Sequence, residues 1–77
     1  MNTKLETAHR NLSNAIRMTQ VGTIARFRVV SSAIAKVEIL RELAIAANTI
    51  DDDYSYQCHV TIRDARTMLN TEAHDLA

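Results

Sequence analysis

Proline is absent from the 77 residues, and glycine occurs once, at Gly22. Sandwiches and barrels need turn chemistry every ~8–12 residues, so a chain this poor in both excludes them and reads as all-α. Cysteine also occurs once, at Cys58, so no disulfide can close within the chain. A lone thiol fits a reducing compartment better than a secreted disulfide framework. Tryptophan is missing, and the aromatics are Phe27, Tyr54 and Tyr56, too few for a stacking platform on single-stranded nucleic acid. No stretch has the roughly 18 uninterrupted apolar residues of a membrane span. The N-terminal MNTKLETAHRNLSNAIR carries helical spacing where a signal peptide has an apolar run. The expectation is a soluble, cytoplasmic protein.

Chemical motifs are lacking too. There is no glycine-rich phosphate loop, nucleophile elbow or Ser/His/Asp set. Cys58 and His59 are adjacent, so on a helix they point about 100° apart and cannot chelate one ion together. His9 and His74 have no ligand partner at i+3 or i+4. Asp51, Asp52 and Asp53 lack the alternating ligands and distal glutamate of a calcium loop, and helix capping accounts for them more simply. A chain this small has little room for a deep pocket. It is expected to be non-enzymatic, with no metal and no cofactor.

What the sequence does hold is centred on Thr23–Asn48, a run of 26 residues of which 16 are apolar. Turned at about 100° per residue, Phe27, Val30, Ala33, Ile34, Val37, Leu40 and Ala44 fall on one broad face. Val29, Leu43 and Ala47 widen it to roughly 200°, more than an ordinary surface helix shows. Arg28, Ser31, Glu38 and Glu42 mark the remaining polar strip. A helix this apolar needs neighbours on two sides.

The flanking segments supply them. Before the run, Leu5, Ala8, Leu12, Ala15 and Ile16 recur at three- and four-residue steps, with Asn2 or Thr3 as cap. Gly22 sits where a left-handed residue would end that helix, and Thr23 could cap the next. Two other readings are a kink at Gly22 and an extended segment in which Val21, Thr23, Ala25, Phe27 and Val29 alternate. After the run, Asp51–Asp53 signal a third helix, in which Tyr54, Cys58, Ile62, Ala65 and Leu69 step along one face. The expectation is a single helical domain over residues 1–77, with helices over about 3–20, 23–48 and 52–70 and a tail at 71–77. That is a small three-helix bundle or helical hairpin around a long central helix.

Lengths bear on assembly. The central helix would span about 39 Å and each flanking helix, at roughly 18 residues, about 27 Å. Either Ser31–Ser32 breaks the long helix or part of its apolar arc is left for another molecule. A homodimer is expected, with Phe27, Val30, Ile34, Val37 and Leu40 as its dimer or core residues.

Charge is balanced overall at nine basic against nine acidic residues, but it is split along the chain. Residues 1–48 carry a net of +4 and residues 49–77 a net of −4. Between Glu6 and Glu38 there are five basic residues and no acidic one. Arg10, Arg17, Arg26 and Arg28 therefore read as a partner-binding surface, arginine being suited to bidentate contacts with carboxylate or phosphate. The simpler account is a solvated face partly neutralised by the acidic third helix. A second candidate surface is the acidic, aromatic corner of Asp51, Asp52, Asp53, Tyr54 and Tyr56.

The function these features favour is a protein-binding module, an inhibitor or regulator that occupies a surface of a larger partner. Phages and mobile elements often encode small compact chains of this kind. The alternative is a DNA-binding regulator with a helix-turn-helix-like arginine region. Against it, the helix after Gly22 is long and apolar for a groove, and it lacks Asn and Gln until Asn48.

Overall fold

The computed structural model of the chain describes residues 2–76 and contains three α-helices, with no strand among them. They are α1 (Thr3–Met18), α2 (Ile24–Ala46) and α3 (Asp52–Leu76). The all-α, bundle-like reading is what the fold shows. Each helix runs antiparallel to the one before it. At one end Asn2 meets Thr49, through Nδ2 and Oγ1 at 3.4 Å, and at the other Arg26 reaches Glu72.

The boundaries follow local chemistry. Asn2 caps α1, its Oδ1 accepting the Leu5 N–H at 3.3 Å. Thr23 caps α2, accepting the Arg26 N–H at 3.1 Å while its own hydroxyl donates to the Gln20 carbonyl at 2.9 Å. Gly22 adopts φ +78°, the left-handed conformation that lets the turn close. The segment is therefore a turn, with neither kinked helix nor strand. α2 ends with Asn48 left-handed at φ 57°. The Thr49 N–H bonds to Ala44 O at 2.9 Å and the Asn48 N–H to Ile45 O at 3.1 Å, which together satisfy the last carbonyls. Asp51 caps α3 through a 2.7 Å bond from the Tyr54 N–H.

The core is thin. Leu5 and Leu12 from α1, Val30, Ile34 and Val37 from α2, and Ile62 and Leu69 from α3 fill it, with Ala8, Ala44, Ala65 and Cys58 between them. Each large aliphatic contributes about 1.5–3 kcal/mol on burial, and the alanines contribute far less. Polar ties between helices thus carry a larger share of the stability than in a bigger domain.

Two expectations need correction. The central helix is not the longest, because α3 has 25 residues against 23 in α2. The expected tail at 71–77 is helical through Leu76, while Ala77 lies, like Met1, outside the described residues. The extra turns form because Glu72 is buried against Arg26, which anchors them. α2 also runs through Ser31–Ser32 unbroken.

Candidate functional site

The expected arginine surface divides. Arg10 and Arg17 are exposed on α1, seven residues apart and so on one face, and Arg17 Nη2 donates to Asn14 Oδ1 at 3.0 Å. Arg28 is exposed on α2. Arg26 is turned inward and only 1% exposed, a correction to its place among partner-binding residues. Its Nε donates to Glu72 Oε1 and Oε2 at 2.9 and 3.0 Å. Its Nη1 donates to the carbonyls of Ile16 and of Thr19, the latter at 2.9 Å. Nη2 lies 3.5 Å from Met68 Sδ. One guanidinium thus closes the C-terminal carbonyls of α1 and ties α3 to the start of α2.

The acidic corner divides in the same way. Asp51, Asp52 and Asp53 are exposed, with Asp51 spent as a cap. Tyr56 is exposed, whereas Tyr54 turns inward against His9. Their rings meet edge to face at 5.7 Å, and the Tyr54 hydroxyl lies 3.3 Å from His9 Nδ1. His9 Nε2 is 2.8 Å from Thr61 Oγ1. Burial holds His9 below its ordinary range and pushes the Cys58 thiol up. Burial, aided by Cys58 and Glu6, pushes the Tyr54 phenol up to about 12. Tyr54 and Cys58 therefore keep their protons at neutral pH, the opposite of an activated nucleophile. Among the described residues no group of three or more His, Cys, Asp or Glu could hold a metal ion, and no helix is long and apolar enough to cross a membrane.

The expected dimer residues are largely used at home. Val30, Ile34 and Val37 are buried in the monomer's own core, and Leu40 packs against it. Phe27, at 38% exposure, lies at its edge. That corrects the face assigned to pairing, because a side chain enclosed by α1 and α3 cannot also meet another molecule.

A different face of α2 stays open. Ala25, Val29, Ser32, Lys36, Ile39 and Leu43 are all exposed, and the series continues to Ala46. Val29, Ile39 and Leu43 are exposed by 49, 59 and 60%. The steps alternate four and three, the spacing of a coiled-coil seam. Beside it a groove of about 510 Å³ runs between α1 and α2, lined by Lys4, Thr7, Asn11, Lys36 and Leu40. The signal was present in the sequence, but an apolar arc of roughly 200° merges two stripes into one.

A second groove, about 280 Å³ between α2 and α3, gathers Arg41, Arg63 and Arg66 with Glu38, Glu42 and His59. Arg66 is paired with Glu38, Arg41 Nε donates to Ser55 O at 2.9 Å, and Arg63 lies 3.5 Å from Asp64. Its cations are already engaged.

Compared with known proteins, the chain matches no family model, no curated protein and no solved structure.

Proposed function

We propose that this chain is a protein-binding module that works without chemistry, a small regulator or inhibitor whose docking face is the open strip of α2. The observation that carries this reading is the exposure of Val29, Ile39 and Leu43 on one line of a helix whose other apolar line is already buried. A strip of heptad-spaced apolar side chains suits an amphipathic helix laid alongside it. A homodimer, expected through residues that the core encloses, would have to use this strip instead. The DNA-binding alternative has less support, since Arg26 is spent inside and the helix after the turn is 23 residues long.

The test is capture from soluble extract by the immobilised protein, comparing wild type with the double variant Ile39→Asp/Leu43→Asp. Both positions are exposed, so circular dichroism should show an intact fold while strip-dependent partners are lost. Equal capture by both proteins would move the binding face elsewhere, with Arg10 and Arg17 next.

A further inference from the structure

We infer that the occupant of the open strip is a second copy of this chain, lying antiparallel with its two-fold axis on the strip midway between Ser32 and Lys36. The inference rests on the docking face proposed above and adds the partner and its register. In an antiparallel pair, residues of one seam line face those of the other across the axis. With the axis there, Val29 faces Ile39 of the second copy, Ala25 faces Leu43, and Ser32 faces Lys36. From Ala25 to Leu43 each apolar member meets an apolar one, and the two polar members meet each other.

Other arrangements do worse. Sliding by one heptad sets Lys36 against Ile39 and Ser32 against Leu43, removing a charge and a hydroxyl from water without partners. A parallel pair sets Lys36 directly against Lys36 of the second copy, a like-charge contact. Lys36 thus fixes register and direction at some cost in affinity, the known effect of a polar residue at such a position.

The flanks supply independent support through charge. Arg28 and Glu42 border the seam on the side away from α1, and both are exposed. In the stated register Arg28 lies next to Glu42 of the second copy, and symmetry repeats the pair. Ala35, between them, meets its own equivalent with no bulk to hold the helices apart. Within one chain Arg28 and Glu42 are about 21 Å apart along the helix and cannot pair. The seam is therefore self-complementary in both apolar and charged members.

The experiment is sedimentation equilibrium on wild type, Arg28→Glu, Glu42→Arg and an equimolar mixture of the two variants. Each variant alone converts two attractive pairs into two repulsive ones and should self-associate about 30-fold more weakly than wild type. The mixture should recover wild-type association, because a mixed dimer again has two attractive pairs. Variants that weaken association without recovery on mixing would overturn the antiparallel register, as would variants with no effect. A wild type that is monomeric at about 1 mM would overturn the second copy as occupant. That outcome would leave the docking face to its own capture test, so the two failures are distinguishable.

Discussion

Removing Glu72 should cost far more than its place near the end of the last helix suggests. Its side chain is 10% exposed, and both carboxylate oxygens accept from Arg26 Nε. Deleting one partner of a buried pair costs about 3–5 kcal/mol, because the remaining charge is left uncompensated. In Glu72→Ala, Arg26 keeps the carbonyls of Ile16 and Thr19, which sets the expectation near the low end, about 3 kcal/mol. Arg26→Met strips those carbonyls as well and should cost about 4 kcal/mol. A domain this size has a total stability of only about 4–12 kcal/mol, so either change is severe. Melting temperature should drop by about 12 °C or more. The double variant Arg26→Met/Glu72→Leu removes the charges together and should cost about 1–2 kcal/mol, less than either single change. Urea unfolding followed by far-UV circular dichroism measures all three. A cost below about 1 kcal/mol for Glu72→Ala, or additive single effects, would refute the reasoning and show that the pair behaves like a surface one.

Other expectations follow from the same contacts. Burial depresses His9 in the folded state, so below its ordinary value the unfolded chain binds more protons. Stability should therefore fall as pH drops below about 6.5, and His9→Gln should flatten that dependence in pH-dependent urea melts; an unchanged slope would contradict it. Cys58 is fully buried with its thiol pushed up, so it should react with a disulfide reagent only as fast as the bundle opens. Rapid labelling without denaturant would place it at the surface. A methyl group at Gly22 would point into open space, so Gly22→Ala should lose only the cost of φ +78°, about 1 kcal/mol in a thermal melt.

Much of the fold could be read from spacing alone. The three- and four-residue steps in α1 and α3 pick out Leu5, Ala8 and Leu12, and Cys58, Ile62, Ala65 and Leu69, because those helices have one apolar stripe and polar residues elsewhere. Gly22 and Asp51 were legible because turn and cap chemistry is local. Arg26 was not. As a residue it reads like Arg17 and Arg28, and what distinguishes it is a carboxylate 46 positions away. The same ignorance hid the last turns of α3, since TEAHDLA has no apolar stripe to announce a helix that Glu72 secures. The strip on α2 was visible as residues but not as a surface, because nothing in a two-faced helix says which face its neighbours cover.

That ambiguity raises the question of what turns the core face of α2 inward. The two stripes lie about 130° apart around the helix, and both are rich in β-branched residues and leucine. Hydrophobicity alone separates them poorly, so the polar residues must do so. Rotating α2 to bury Val29, Ile39 and Leu43 would push Lys36 into the interior with no carboxylate to meet it. It would also withdraw Arg26 from Glu72 and from the carbonyls of Ile16 and Thr19. Each consequence costs several kcal/mol, comparable to the stability of the whole domain. Arg26 inside and Lys36 outside therefore select one face for the core and leave the other for a partner. The double variant Arg26→Leu/Lys36→Leu removes both selectors. It should keep its helicity yet populate more than one packing, seen as extra or broadened amide resonances. One sharp set of resonances, with Val29 and Leu43 still exposed to solvent, would show that the aliphatic side chains make the choice without them.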